Sequence, residues 1–131
     1  MRRPATMSWL ALLLLGLCSA GCNSVMMTSD RLVGAPVYPP SDPANIQVLR
    51  EKPSQAYVAL AEVFVEPQSG TPPMDAIVAA LKKRAAKYGA DAVLITMDQI
   101  QSSGSMYMGG GEFDTTYGHA VRALAIKYTG K

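Results

Sequence analysis

The chain has little of what nucleophilic, redox or metal chemistry draws on. Its 131 residues include two cysteines, Cys18 and Cys22, and one histidine, His119. Nucleophilic catalysis needs a base beside the nucleophile, and one histidine leaves few ways to build such a pair. A marked excess of either charge is also missing, with 12 basic residues against 10 acidic ones. Arg2 and Arg3 lie in a segment expected to be removed, which leaves ten against ten. Phosphate neutralisation needs a basic surface, so nucleic acid is excluded as an expected partner. The basic cluster Lys82, Lys83, Arg84 and Lys87 falls late in an expected helix, where it complements the helix dipole. No long apolar run is present. The one at residues 9–17 (WLALLLLGL) would span about 14 Å as a helix, roughly half a bilayer core.

That run has the form of a targeting segment. Arg2 and Arg3 supply a positive start, residues 9–17 the apolar centre, and Ser19-Ala20-Gly21-Cys22 the small residues of a processing site. The last four resemble the lipobox of bacterial lipoproteins, in which the cysteine thiol receives a diacylglycerol and the chain is cut just before it. Ala20, Gly21 and Cys22 fit that pattern, and Ser19 stands where leucine is usual. The resemblance implies a signal peptide over residues 1–21 and lipidation of Cys22. The alternative is a plain secretory peptide that leaves Cys22 as an ordinary thiol. Cys18 leaves with the peptide in either case, so the folded part carries no disulfide and no cysteine site.

At this length only one ordinary domain is expected. Residues 23–45 are rich in small, polar and proline residues, with Pro36, Pro39, Pro40 and Pro43 close together. Such a stretch favours extended polyproline conformation, so residues 22–45 read as a lipidated N-terminus and a tether. A folded N-terminal arm around Val33 and Tyr38 is the alternative. The domain proper is expected over residues 46–129. Residues 46–50 (IQVLR) alternate as a short strand, and residues 57–66 (YVALAEVFVE) read as a central strand, apolar on both faces. Val58, Leu60 and Phe64 share one face; Ala59, Ala61, Val63 and Val65 share the other.

A helix follows, with Thr71 as cap, Pro72 at the first position and Asp75 in the first turn. Met74, Ile77, Val78, Leu81, Ala85 and Tyr88 make one apolar stripe, and Gly89 supplies the left-handed residue that ends the helix. Residues 92–100 (AVLITMDQI) form a strand. Residues 102–118, with five glycines and no apolar period, are expected as a long flexible hairpin loop. Residues 119–128 close the domain as a strand, with Ala120, Arg122, Leu124, Ile126 and Tyr128 on one face. The fold class is α+β in the order β-β-α-β-β, one helix packed on a mainly antiparallel sheet.

The run from Leu81 to Leu94 (LKKRAAKYGADAVL) resembles the helix-then-Gly-Ala-Asp-Ala-Val element of a group of small bacterial envelope lipoproteins. Relatives of the Rcs stress-sensor lipoprotein and of the YbjQ-like "heavy-metal-binding" domains belong to that group. Val48-Leu49 and the strand from Ala56 to Val63 look similar to its opening strands. The Rcs sensor's domain is disulfide-bonded and this one has no cysteine, so the resemblance implies a fold and not an activity. Physically, Gly89 turns the helix, Ala90 and Ala92 permit close helix-to-strand approach, and Asp91 can accept from backbone amides in the turn.

Candidate chemistry is sparse. His119 with Glu112 and Asp114 has the composition of a histidine–carboxylate metal site, and Met106 with Met108 offers two thioethers of the kind that bind Cu(I). Met26 and Met27 are a weaker pair in the tether. Solvated loop and tether residues are the expected reading of all of these. Gly109-Gly110-Gly111 is no phosphate loop, since no lysine follows and no helix opens there. Three function classes stand. The expected one is a non-enzymatic envelope lipoprotein acting through contact with a protein partner or with itself, without a cofactor. It would be held at a membrane through Cys22, and Asn23, in place of the aspartate that retains enterobacterial-type lipoproteins, directs it to the periplasmic side of the outer membrane. The second is a metal- or ligand-binding module using residues 102–119, and the third a small hydrolase.

Overall fold

Ile77, Leu81 and Ala85 recur at helical spacing and are fully buried, which fixes the inward stripe of helix α1 (Met74–Ala86). The computed structural model describes residues 24–70 and 72–130. Among these residues α1 lies on one five-stranded sheet made of β1 (Met27–Arg31), β2 (Gln47–Leu49), β3 (Tyr57–Val65), β4 (Ala92–Gly109) and β5 (Glu112–Tyr128). The strand order is β1-β3-β5-β4-β2. All pairings are antiparallel except β2 with β4. The α+β class and the single helix on a mainly antiparallel sheet are as the sequence pattern implies.

The core lies between α1 and one face of the sheet. Val63 and Val65 from β3, Val93 and Ile95 from β4, and Val121, Ala123 and Ala125 from β5 meet Ile77, Leu81, Ala85 and Ala86. Leu60 joins them, although simple alternation places it opposite Ala61. A bulge between Ala59 and Ala61 inserts the extra residue, and both Leu60 and Ala61 are buried. The strip Arg122, Leu124 and Ile126 faces away from the helix, and Arg122 pairs there with Glu62 at 3.3 Å. Leu94 and Ile126 are nonetheless buried on that second face. Strand order and direction explain this: β2 and β3 run parallel on either side of β4 and β5. Three strand spacings sideways and a few residues back make on the order of 20 Å, which residues 50–56 span only by crossing the face directly.

Helix α1 begins differently from expectation. Thr71 lies outside the described residues, Pro72 precedes the helix, and Pro73 is the N-cap, without a side-chain capping bond. At the other end Gly89, at φ +77°, donates from its amide to Ala86 O while Ala90 N donates to Ala85 O. That pair of bonds is a Schellman termination, and it places Gly89 at the left-handed position the sequence assigns it.

The stretch expected as a tether is largely part of the fold. Residues 27–31 form the edge strand β1 on β3, with Met27 packed on the core and Ser29 Oγ 2.9 Å from Tyr88 Oη. Beyond it the prolines do not keep the chain in solvent. Tyr38 packs against the core, Ser41 N donates to Ala86 O and Ser41 Oγ to Ala90 O. The polyproline stretch is a strap across the C-terminal end of α1, where it gives Ala86 O a second donor and bonds Ala90 O just beyond the helix. The folded-arm alternative is correct for Tyr38, whereas Val33 is fully exposed. The ordered domain therefore begins near Val25 and not at Ile46.

Candidate functional site

The second departure from expectation defines the site. Residues 102–118 are not a loop: β4 and β5 stay paired from Ala92 with Ile126 out to Gly109 with Glu112, and only Gly110 and Gly111 turn the chain. Positive φ at Gly109, Gly110 and Gly111 makes the reversal possible. A ribbon wet on both faces needs no apolar period, and its strand character comes from cross-strand pairs instead. Ser105 Oγ lies 2.9 Å from Thr115 Oγ1, Ser103 Oγ donates to Thr116 Oγ1, and the rings of Tyr107 and Phe113 lie 5.2 Å apart.

The register sorts the ribbon into two unlike faces. One carries Tyr107 opposite Phe113, Ser105 opposite Thr115, Ser102 opposite Tyr117 and Ile100 opposite His119. The other carries Glu112, Met106 opposite Asp114, Gly104 opposite Thr116, and Gln101 opposite Gly118. From Ile100 to Tyr117 the first face has no charge and its large side chains are mostly exposed: Ile100 61%, Tyr107 59%, Phe113 68%, Tyr117 59%. Met106 and Met108 are exposed to a similar degree near the tip. A monomer does not ordinarily gather so much exposed apolar surface on one projection without a use for it.

The ribbon also has an open edge. β2 covers β4 only at residues 92–94, and among the described residues no strand pairs with the outer edge of β4 beyond Leu94. Residues 99–111 contain no charged residue and no proline, the usual guards of such an edge. Register shifts at Thr96, Ser103 and Met108 divide it into short runs, the longest at residues 97–102. Six residues is an ordinary strand length.

The expected metal ligands are brought together only in part. Glu112, Asp114 and Met106 share a face at the tip, but His119 is on the opposite face at the ribbon base. There Asp98 lies between His119 and Arg50: His119 Nδ1 stands 3.1 Å from Oδ1 and Arg50 Nη1 donates to Oδ2 at 3.3 Å. Among the described residues no three His, Cys, Asp or Glu side chains form a group able to hold an ion. Cys22 lies outside the described residues. Asp91 is also placed differently from expectation. It accepts from Tyr128 N at 3.0 Å and from Lys127 Nζ at 2.8 Å, so it ties the end of β5 rather than the helix turn. The sequence signal for the ribbon is the mirror arrangement about Gly110, with Tyr107 and Phe113, then Ser105 and Thr115, equidistant from it.

No family model matches the chain, and neither does any curated protein sequence. Among solved structures it is similar to the Francisella virulence factor FvfA. The TM-score is 0.50 and the identity 15%, over 78% of this chain and 97% of that one. At that identity the likeness is one of fold.

Proposed function

We propose that the chain is a lipid-anchored envelope protein without enzymatic activity, acting by protein–protein contact through the β4–β5 ribbon. The observation that carries this reading is the uncovered outer edge of β4 beyond Leu94, uncharged over residues 99–111, beside exposed apolar side chains. A partner strand adding to such an edge gains main-chain hydrogen bonds, and side chains of both faces supply selectivity. The partner is an envelope protein or a second copy of this chain. Attachment through acyl chains on Cys22 and residence on the periplasmic side of the outer membrane are parts of the same proposal, supported by Ser19-Ala20-Gly21-Cys22 and by Asn23. So is kinship with the small envelope lipoproteins of the Rcs-sensor and YbjQ-like kind, supported by the Gly89-Ala90-Asp91-Ala92-Val93 turn from helix to strand. The separation of His119 from Glu112 and Asp114 favours contact over metal binding.

Photo-crosslinking in intact cells tests the proposal, with the crosslinking residue at Gln99, Gln101 or Ser105 and a control at Glu51, all exposed positions. Protein adducts are expected from the ribbon positions and not from Glu51. Adducts from Glu51 alone, or none from the ribbon, refute it.

A further inference from the structure

Helix α1 and the edge strand β1 leave a groove between them. Val25 lines one wall, and Ala76, Ala80, Lys83, Arg84 and Lys87 line the other. These helix positions recur at three- and four-residue spacing, so they form one flank of α1. Arg84 Nη1 donates to Ser29 Oγ at 3.0 Å, which ties that flank to β1. Val25 is three residues after Cys22, a reach of at most about 11 Å. The groove therefore opens beside the proposed anchor, along the β1 edge of the sheet.

The three cations of the groove have no counter-charge. The ion pairs of the fold take Arg50, His119, Arg122 and Lys127 as their basic members. Among the described residues none of Lys83, Arg84 and Lys87 has an acidic partner, and no acid lines the groove. The helix dipole accounts for bases near the last turn of α1. It does not account for three of them on the flank that meets β1. The sheet face turned away from α1 has the opposite character. Asp30, Glu112 and Asp114 lie there, and its Arg122 is taken by Glu62. An edge strand held at a membrane can turn either face toward it, so charge makes the choice.

We propose that Lys83, Arg84 and Lys87 bind the headgroups of anionic phospholipid in the leaflet that holds the Cys22 anchor, so that the domain rests on its α1–β1 side. This rests on the anchored reading above. Basic side chains are drawn to an anionic leaflet over about one Debye length, roughly 10 Å at 0.1 M salt. Ala80 and Lys87 are about 10 Å apart along α1, so all three cations come within that range when this side lies down. The acidic tip of the ribbon is repelled by the same surface. β4 stands three strand spacings from β1, about 14 Å, so its open edge faces away from the leaflet and stays available for a partner strand.

The test uses the mature lipidated protein in phosphatidylcholine vesicles carrying a dansyl-headgroup lipid, with or without phosphatidylglycerol. The single tryptophan, Trp9, lies ahead of Cys22, so a tryptophan placed in the domain reports alone. The variants are Ala79→Trp on α1 and Gln99→Trp on β4, both at exposed positions; far-UV circular dichroism checks each for folding. With phosphatidylglycerol present, energy transfer to the dansyl headgroup is expected to be several-fold stronger from Ala79→Trp than from Gln99→Trp. That excess should disappear without phosphatidylglycerol, and also in about 1 M salt, where the Debye length shrinks to about 3 Å. Adding Lys83→Gln and Lys87→Gln, both exposed and without an ion pair to lose, should abolish it as well. Equal transfer from the two positions in protein that floats with the vesicles overturns the proposal and leaves the anchor standing. An excess that is indifferent to phosphatidylglycerol also overturns it, and leaves the groove to an acidic protein segment. Failure to float overturns the anchor, and this inference with it.

Discussion

Gly89→Ala probes the joint on which the N-terminal half of the fold depends. Gly89 sits at φ +77°, and an added Cβ would lie 2.5 Å from Pro39 O and 2.6 Å from Tyr38 Cβ. The left-handed conformation alone costs a residue with a side chain about 1–2 kcal/mol. The clash is with backbone and cannot be relieved by a rotamer change, so residues 38–41 must lift from the end of α1. Lifting them breaks the bonds from Ser41 N to Ala86 O (2.9 Å) and from Ser41 Oγ to Ala90 O (2.7 Å), at about 0.5–1.5 kcal/mol each. It also draws Tyr38 off the core. Conformation and the two bonds together come to about 2–5 kcal/mol before Tyr38 is counted, a large part of the 5–15 kcal/mol typical of a small domain. Gly110→Ala is the matched control: its φ is +65° and a Cβ there meets nothing within 4 Å, so only the conformational cost of about 1–2 kcal/mol applies. Urea unfolding of both variants measures the difference, and amide exchange at Ser41 locates it. Equal costs for the two substitutions would refute the strap as a packed element of the domain.

Leu81→Ala removes a fully buried side chain from the middle of α1 and should cost about 2–5 kcal/mol, lowering the melting temperature by about 10 °C or more; a drop of only a few degrees would contradict the packing. Asp91→Ala leaves Tyr128 N and Lys127 Nζ without their carboxylate and should cost about 1–3 kcal/mol in urea unfolding. Asp91→Asn, which keeps one carbonyl acceptor, should cost less; the reverse order would refute the assigned role. Cys22→Ser should abolish metabolic labelling with palmitate and release the protein from membranes or stall it, and persistent labelling would sink the anchor.

How much was legible in the sequence follows from which forces are local. Binary patterning depends on spacing along one chain, so the stripe Ile77, Leu81 and Ala85 specified α1, and apolar runs specified β3 and the start of β4. Gly89 was legible because only one residue type takes the left-handed position cheaply. The proposed anchor at Cys22 rests on short sequence alone. β1 was not legible: Met-Thr-Ser-Asp-Arg has one large apolar residue, and its place at the sheet edge comes from ladder bonds to β3 and from Ser29 meeting Tyr88, 59 residues away. The proline strap was hidden for the same reason, since its bonds run to Ala86 O and Ala90 O at the end of a helix that begins more than 30 residues after it. The bulge at Leu60 was hidden because it is a register event between two strands. The ribbon was half visible. Its turn is written in three glycines, but its strands are polar on one face and exposed on the other, so no buried periodicity announced them. The sequence by itself determined the α+β class, the helix and its termination, and the inward-facing core. Only the tertiary structure decided the edge strand, the strap and the projecting ribbon, because those are held by backbone and cross-strand bonds between segments whose own sequences carry no preference for each other.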